Sequence, residues 1–341
     1  MVLKHSVACC CVWTLIAAQA LAMAPLFAAL TVEEQFPAEP DPLMGDWVGR
    51  WSAEEDIDPD IAAQVFPLGR NRYRINLVPK LDMRCPPLLV VEVEKTGDTL
   101  AFKEGGYYGE FRGETCTGGK RAGGATFEMK KVMRLSPALG EKPPEGAVVL
   151  FDGTNLDSWQ QPEGWEILPG GTLMVTPDGK DLKTNATFAD ARLHIEFRTP
   201  LLPSARGQQR GNSGVFLQDT YEVQVLDSYG LDGFYNECGA LYKVSAPNVN
   251  ACAPPLQWQT YDITYRAPRY DAAGALVEYP RMTVYHNGVL IQNEQEMRWR
   301  TDWKEKDRLQ PPPTEPLPIR LQAHHNYVQF RNIWIVDLRG K

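Results

Sequence analysis

The chain has 341 residues, of which 43% are hydrophobic and 23% are charged, a globular composition that excludes a disordered chain. Its formal net charge is −8, and it has no cluster of lysines and arginines, which argues against a nucleic-acid partner. The 28 glycines and 27 prolines favour many short strands joined by tight turns, and the length accommodates two ordinary domains.

Residues 1–22 are predicted to be a signal peptide. Lys4 gives the start a basic charge, Val7–Leu21 is an apolar run, and Ala20-Leu21-Ala22 is a small-x-small cleavage pattern. We therefore expect an exported protein, periplasmic or secreted, with no stable membrane span after cleavage. An uncleaved anchor stays open as the alternative, because Pro25–Leu30 prolongs the apolar stretch.

Four cysteines follow the signal, namely Cys85, Cys116, Cys238 and Cys252. An even number of cysteines in an exported protein favours two disulfides. The domain boundaries given below predict the pairs Cys85–Cys116 and Cys238–Cys252. Buried free thiols are the alternative, and no Cys-x-x-Cys spacing indicates a zinc site.

Residues 23–44 are acidic and rich in proline, which predicts a linker, and residues 45–135 are predicted to be a small β domain. Turn signals, Gly118-Gly119 among them, separate short alternating segments, so we expect an antiparallel meander or barrel of unknown role. The predicted strands are Gly45–Trp51, Ala63–Leu68, Arg72–Val78, Leu88–Val93, Thr99–Lys103, Tyr107–Arg112 and Ala125–Met133.

Residues 136–147 are a second linker by composition, and residues 148–341 are rich in strands with almost no helical periodicity. The predicted strands are Val148–Phe151, Trp165–Leu168, Thr172–Val175, Leu193–Phe197, Ser213–Gln218, Tyr221–Leu226, Ala240–Lys243, Gln259–Arg266, Arg281–His286, Val289–Gln292, Ile319–Ala323 and Val328–Val336. Two stacked antiparallel sheets bury so many alternating segments. The fold class is therefore all-β, a jelly-roll sandwich preceded by a small β domain.

Polar side chains alternate along two of the predicted sandwich strands. Glu222 and Gln224 share one face of their strand, and Asp227 joins them only through the strand end or a bulge. Arg320, Gln322 and His324 share one face of another strand, and sharing a face with Gln322 makes His324 the best candidate among the histidines for acid–base chemistry.

A third strand carries Glu196 and Arg198 on one face, together with His194. The simplest explanation of each such face is a solvated outer surface, because antiparallel sandwiches alternate apolar and polar residues. The residue types favour a binding site instead. Acids, amides and guanidinium groups hydrogen-bond sugar hydroxyls, and aromatic rings such as those of Tyr242 and Trp258 stack on the apolar face of a pyranose.

A series of short motifs resembles the 3-keto-disaccharide hydrolase family, also described as 3-keto-glucoside 1,2-lyase/3-keto-2-hydroxy-glucal hydratase domains. The resemblance covers Val148 to Leu338, a little over half of the chain. The motifs, in family order, are Leu150–Trp159, Glu196–Arg198, Asn212–Val215, Tyr221–Asp227, Cys238–Tyr242, Asn287–Val289, Leu321–His324 and Phe330–Ile333.

The resemblance implies a concanavalin-like jelly roll that cleaves glycosides already oxidised at C3 of the sugar. A C3 ketone acidifies the C2 hydrogen, so a base removes that proton, the aglycone leaves C1, and water adds to the resulting glucal. It implies acid–base roles for His324, Glu222 and Asp227. The implied substrate-binding residues are Glu196, Arg198, Asn212, Gln224, Tyr242, Gln322 and Arg331.

The cofactor is left open, because Glu222, Asp227 and His324 are also suited to hold a divalent metal that would stabilise the enolate, in place of Arg198 or Arg331. Two other functions remain open. One is a non-catalytic, lectin-like sandwich, since the family's Gln-Asp-His-Gly pattern is changed here at Ala323 and His325. The other is a conventional two-carboxylate glycosidase, for which Gln224 stands where such enzymes need a carboxylate.

Overall fold

The computed structural model describes residues 30–52 and 59–339. The predicted signal peptide and residues 23–29 of the first predicted linker lie outside the described residues. The rest of that linker is not entirely irregular, because it includes a short helix, α1 (Val32–Gln35). No helix among the described residues has the length and hydropathy needed to cross a membrane. From Val32 onward the chain forms one compact unit.

Eight antiparallel strands follow and form a nearly closed barrel. Each strand from β1 to β4 and from β5 to β8 pairs with its neighbour in the chain, and β1 also pairs with β8, so the sheet order is β4-β3-β2-β1-β8-β7-β6-β5. The strands are β1 (Gly45–Trp51), β2 (Asp60–Gly69), β3 (Arg72–Val78), β4 (Leu89–Glu94), β5 (Thr99–Glu104), β6 (Tyr107–Arg112), β7 (Thr115–Lys120) and β8 (Thr126–Val132). The predicted antiparallel meander or barrel is confirmed.

The predicted turn at Gly118-Gly119 is wrong, because both glycines lie within strand β7. The reason is steric. A Cβ at Gly118 would lie 2.3 Å from the Tyr108 carbonyl oxygen and 2.4 Å from Cζ of Phe127. Glycine is therefore needed here so that a neighbouring ring can cross the strand.

The remaining strands build a sandwich of two large antiparallel sheets, with a small hairpin of β18 and β19 beside them. The strands are β9 (Val148–Phe151), β10 (Trp159–Gln160), β11 (Trp165–Leu168), β12 (Thr172–Val175), β13 (Leu182–Phe188), β14 (Ala191–Arg198), β15 (Ser213–Leu217), β16 (Tyr221–Val225), β17 (Gln259–Arg266), β18 (Arg269–Tyr270), β19 (Leu276–Glu278), β20 (Arg281–His286), β21 (Val289–Glu296), β22 (Leu317–Leu321) and β23 (Val328–Asp337). The short helices are η1 (Gly207–Gln209, 3-10) and α2 (Glu305–Arg308).

The five-stranded sheet has the order β10-β13-β22-β15-β16, and the larger sheet has the order β11-β12-β23-β14-β17-β20-β21, with β9 paired to β23. Buried residues of both sheets form the core, for example Val215 and Leu321 from the first and Leu193 and Phe330 from the second. The predicted all-β sandwich is confirmed. The predicted strand Ala240–Lys243 is wrong, since this segment forms only isolated bridges at Leu241.

The barrel has its own core, which includes Trp47 and Phe111, with ring centroids 5.0 Å apart. The sandwich core also takes in Phe66, from the first predicted domain, and Met44, the last residue of the first predicted linker. The two predicted domains therefore pack against each other through apolar side chains. The boundary at residues 136–147 stays a prediction.

The four described cysteines are free, so neither predicted disulfide is formed in the structure. Cys116 is buried in the barrel core, whereas Cys85 lines a groove beside Gly230 of the sandwich. Cys238 Sγ lies 3.1 Å from the Tyr261 hydroxyl, and Cys252 Sγ lies 3.4 Å from the Ala253 carbonyl. The Cys238 and Cys252 thiols also lie within hydrogen-bonding reach of each other, so a disulfide between them stays a prediction.

Candidate functional site

A cleft of about 710 Å³ lies against β15, β16 and β22 of the five-stranded sheet. Strand alternation decides which side chains reach it. Val223 and Leu321 point into the sandwich core, whereas Glu222, Gln224 and Arg320, their neighbours in the chain, line the cleft. The predicted shared face of Glu222 and Gln224 is therefore one wall of a real cavity.

Glu222 is the buried acid of this cleft, with only 5% of its surface exposed. Gly214 makes room for it, because a Cβ there would lie 2.4 Å from Oε1 of Glu222. The hydroxyl of Thr301 accepts the Glu222 backbone N–H at 2.7 Å and so fixes the backbone. Burial raises the pKa of Glu222 to about 8, although Arg320 opposes the shift. The carboxyl is therefore mostly protonated at neutral pH.

Three of the residues that line the cleft, Asn212, Gln224 and Gln322, have a buried amide oxygen with no hydrogen-bond partner among the described residues. Gln208 accepts hydrogen bonds from two of the three amide nitrogens, those of Asn212 and Gln224. Asn212 Nδ2 donates to the Gln208 carbonyl at 3.0 Å, and Gln224 Nε2 donates to Gln208 Oε1 at 3.1 Å. A buried unpaired acceptor costs about 1–3 kcal/mol, so three in one cavity indicate a site built for a hydrogen-donating ligand.

The loop between β21 and β22 forms another wall of the cleft. Thr301 anchors this loop by donating its hydroxyl to the Thr220 carbonyl at 2.7 Å. Next to it, Trp303 also lines the cleft, and 69% of its surface is exposed. Tyr242 contributes a second aromatic ring, and burial, together with the nearby Glu222 carboxyl, raises the pKa of its phenol. Aromatic rings beside hydrogen-bond acceptors are suited to a sugar.

His324 lies just past the end of β22, exposed at the cleft, and its ring centroid is 5.8 Å from that of His325. The predicted shared face of Gln322 and His324 extends beyond the strand, yet both residues line the cleft. Arg320 on the strand itself is committed to protein contacts. It binds Asp219, donates to Asp181 at 2.6 Å, and its guanidinium carbon lies 3.4 Å from the Phe216 ring centroid.

Of the residues predicted for the site, six line this cleft and four do not. The six are Glu222, His324, Asn212, Gln224, Tyr242 and Gln322. Asp227 is one of the four, and it lies two residues past the end of β16 at Val225. Its buried carboxylate pairs with Arg210 Nη2 at 2.8 Å and accepts the Tyr229 backbone N–H at 3.2 Å. The predicted catalytic role of Asp227 therefore has no support in this geometry.

Glu196 and Arg331 are paired with each other on the larger sheet, with Arg331 Nε 2.7 Å from Glu196 Oε2. The Gly140 backbone N–H, from the second predicted linker, donates to Glu196 Oε1 at 2.6 Å. Burial disfavours the charged forms, but the hydrogen bonds prevail: they lower the pKa of Glu196 to about 2 and raise the pKa of His194, between Glu196 and Asp262, to about 9.

Arg198 also belongs to the larger sheet and donates to Gln329 Oε1 at 2.7 Å. Its guanidinium carbon lies 4.9 Å from the Trp258 ring centroid, and that of Arg331 lies 4.1 Å from the same centroid. The guanidinium groups are thus used to pack Trp258 against the sheet. Neither arginine lines the cleft, so the predicted roles of Arg198 and Arg331 at the enolate have no support in this geometry.

One group of residues with metal-ligand chemistry is found among the described residues, and it is not the predicted one. Ligand atoms of Glu141, His194 and Asp262 lie within 4.8 Å of one another. Arg192 Nη2 lies 3.0 Å from Glu141 and 4.0 Å from Asp262, and His194 Nδ1 already bonds Asp262 at 2.9 Å. Because cationic groups already face both carboxylates, this cluster fits a structural ion-pair network better than a divalent-metal site.

Other cleft residues were not predicted from the sequence, because they lie in irregular segments or alternate with residues of another type. They are Gln208, Phe216, Asp219, Thr220, Arg300, Thr301, Asp302, Trp303, Asp307, Gln310 and Arg320. Arg320 was predicted to share a strand face with Gln322 and His324 but was not assigned to the site, although this alternation is the signal that points to it. The loop between β21 and β22 shows no periodicity that a sequence pattern could reveal.

Comparison with known proteins supports the assignment of the second half. The profile of the 3-keto-alpha-glucoside-1,2-lyase-like domain matches residues 146–336, more than half of the chain. A "putative glycosyl hydrolase" from Parabacteroides distasonis ATCC 8503 is 37% identical, with a TM-score of 0.54 over 58% of this chain and 86% of that one. A second protein of that description and organism is 22% identical, with a TM-score of 0.43 over 56% and 99% of the two chains.

No curated protein matches the sequence. The family resemblance predicted from the short motifs is confirmed, since the matched residues coincide with the predicted second half. A carbohydrate-active, glycosyl hydrolase-like function follows from the family and its neighbours. The chain therefore belongs to the 3-keto-alpha-glucoside-1,2-lyase-like domain family.

Proposed function

We propose that the cleft on the five-stranded sheet binds a glycoside oxidised at C3 and cleaves it by elimination. The observation that supports this proposal is the combination of a buried, mostly protonated Glu222 with three unpaired amide acceptors in one cavity that His324 also lines. A protonated carboxyl is the acid that a departing glycosidic oxygen needs, and the amide oxygens accept the hydroxyl hydrogens of a sugar ring.

In this proposal His324 removes the C2 proton, which the neighbouring C3 ketone has made acidic. The electron pair of the C2–H bond delocalises onto the ketone oxygen as an enolate. Tyr242 donates a hydrogen bond to that oxygen, and its raised pKa keeps the phenol protonated. The enolate then collapses to a C1–C2 double bond as the C1–O bond breaks, and Glu222 gives its proton to the leaving oxygen. Water adds across the new double bond to complete the reaction.

The polar groups of the cleft favour a neutral sugar. Three lining residues have an unpaired amide oxygen, which is a hydrogen-bond acceptor, and Asp302 and Asp307 add two acidic side chains to the lining. The two arginines are bonded elsewhere, Arg320 to aspartates and Arg300 to the Pro311 carbonyl at 2.9 Å. A uronic acid would bring a negative charge to this acceptor-rich surface, where both arginines that line the described part of the cleft are already bonded to other groups. We therefore expect 3-keto-glucosides to be preferred over 3-keto-uronates.

The decisive experiment compares an aryl 3-keto-glucoside with the same glucoside before oxidation. We expect turnover of the 3-keto form alone, and Glu222→Gln and His324→Ala each to lower kcat by about a hundredfold or more, the usual loss when a general acid or base is removed. Glu315→Gln, an exposed glutamate outside the cleft, is the matched control and should keep full activity. Turnover of the unoxidised glucoside at an equal rate would refute the mechanism.

A lectin-like function is the second candidate. It is favoured by the exposure of His324, whose side chain has only a ring contact with His325 among the described residues, and by the altered Ala323 and His325 beside it. In that case the cleft would bind sugars through Trp303 and the amide oxygens without cleaving them. Calorimetric binding of an unoxidised glucoside, with no turnover of either form, would establish this function instead.

A further inference from the structure

We propose that the N-terminal barrel contributes to ligand binding in the cleft, because its Phe66 positions the segment Arg206–Asn212. That segment, called the cleft segment below, supplies Gln208 and Asn212 to the cleft. The proposal rests on the proposed function only for the identity of the ligand. The positioning itself follows from contacts between the barrel and the sandwich.

Phe66 lies near the end of β2, yet its side chain is buried in the sandwich core and only 3% exposed. Its ring centroid lies 5.6 Å from the guanidinium carbon of Arg210 and 5.9 Å from the ring centroid of Tyr229. Arg206 Nη2 donates to the carbonyl of Leu68 at 3.3 Å. The cleft segment is thus held to the end of β2 near both of its own ends.

Arg210 is the residue through which Phe66 acts. It is 7% exposed, its Nη2 pairs with Asp227 at 2.8 Å, and its backbone carbonyl accepts the Asp227 N–H at 2.8 Å. A buried guanidinium needs both a counter-charge and an apolar or aromatic surface to pack against, and Phe66 supplies that surface. Asn212, with its unpaired oxygen, is two residues further along the chain, so a displaced Arg210 would move it.

The Phe66 ring is itself fixed from the sandwich side by Gly230. A Cβ at Gly230 would lie 2.2 Å from Cε1 of Phe66, so only glycine allows this approach. Asn76 of β3 donates to the Gly230 carbonyl at 2.7 Å and holds the contact in place. The barrel, the Gly230 turn and the cleft segment therefore meet around one ring.

The test replaces Phe66 by leucine, which keeps an apolar side chain but removes the ring face. We expect backbone amides of Arg210 and Gly211, which donate to Gly207 and Asn326, to exchange hydrogen about tenfold faster while β14 exchanges at the wild-type rate. For an aryl 3-keto-glucoside, we expect kcat/KM to fall about tenfold or more, mainly through KM, because Gln208 and Asn212 are binding groups and small displacements are costly.

Phe66→Tyr keeps the ring and should show wild-type hydrogen exchange in the cleft segment and wild-type kcat/KM. Gly230→Ala pushes the ring away and should show the faster exchange and the lower kcat/KM of Phe66→Leu. Phe102→Leu is the control, because Phe102 packs against Phe111 within the barrel core and should change neither readout. Unchanged exchange in the cleft segment of the Phe66→Leu protein, or an equal rise in β14, would overturn the proposal. If the wild-type protein turns over no 3-keto-glucoside, the proposed function fails, while the exchange experiment still decides the positioning.

Discussion

At the scale of single residues, Glu222 and Asp227 show how similar acids five positions apart acquire different roles. Glu222 sits within β16, beside the space left by Gly214, and among the described residues no cationic group forms an ion pair with its carboxyl. Asp227 lies past the strand end and finds Arg210. Burial raises the pKa of both acids, but only Asp227 has a salt bridge that opposes the shift directly.

The raised pKa of Glu222 predicts how stability depends on pH. In the unfolded chain the carboxyl loses its proton near its ordinary value of 4.5, but in the folded protein it does so only near 8. The unfolded state therefore ionises first, so this contribution to stability is full below about pH 4.5 and is lost as pH rises towards about 8. Glutamine does not ionise, so Glu222→Gln abolishes this decrease in the free energy of unfolding between pH 4.5 and 8, which is on the order of a few kcal/mol.

We expect the melting temperatures of the wild-type protein and Glu222→Gln to be similar near pH 4.5 and the variant to melt higher near pH 8. Thermal denaturation at several pH values measures this difference. Glu315→Gln, whose side chain is exposed, should follow the wild-type protein throughout. A constant difference between Glu222→Gln and the wild-type protein at every pH would contradict the assignment.

At the scale of elements, the segment at residues 136–147 has the composition of a linker but the contacts of a structural element. The Ser136 hydroxyl lies 2.6 Å from that of Thr260, and Gly140 donates its N–H to Glu196. The Glu141 carbonyl accepts from Asn332 at 2.9 Å. Composition predicts how flexible an isolated segment is, whereas the surface beneath it decides whether it is flexible in the fold.

Replacing Glu196 by glutamine tests this docking. The substitution keeps the shape of the side chain but removes the buried negative charge that pairs with Arg331 and stabilises the protonated form of His194. Loss of this charge should lower the free energy of unfolding by about 3 kcal/mol or more. We expect limited proteolysis to cut the variant within residues 136–147 and to leave this segment intact in the wild-type protein. Glu166→Gln, an exposed glutamate of β11, should behave as wild type. Rapid cleavage of the wild-type segment would contradict the docking.

At the scale of the whole molecule, the barrel and the sandwich are joined by buried apolar side chains and by buried polar groups. Phe66 of the barrel and Met44, which directly precedes β1, join the sandwich core, and the Tyr229 hydroxyl donates to the buried Asp46 at 2.7 Å. Arg134 also donates to Asp46 at 2.7 Å. Unfolding of the barrel or of the sandwich by itself would expose this apolar interface and would remove hydrogen bonds from the buried Asp46 carboxylate. Separate unfolding of the two parts is therefore costly.

We therefore expect a single calorimetric transition for the barrel and sandwich. Tyr229→Phe should lower the free energy of unfolding by about 1–3 kcal/mol, because Asp46 loses one buried donor, and should still unfold in one transition. Tyr285→Phe is the control, since Tyr285 is exposed on β20. Two well-separated transitions in the wild-type protein would show that the two parts are independent.

The sequence by itself determined the class of the fold and the family. Alternating segments bounded by glycine and proline predicted most strands, because the side-chain period of two is a local property of the chain. Arg72–Val78, Tyr107–Arg112 and Gln259–Arg266 were predicted with the bounds that the structure has. The strand faces also predicted that Glu222 and Gln224 lie together, which needs no knowledge of distant residues.

Only the tertiary structure decided which polar faces form one site. The patterns around Glu196 and around Glu222 look alike in the sequence, yet one is covered by residues 136–147 and the other is open to a cleft. Burial and charge pairing depend on residues far along the chain, such as Arg210 for Asp227 and Thr301 for Glu222. A local period fixes the direction of a side chain, but long-range packing decides what that side chain meets.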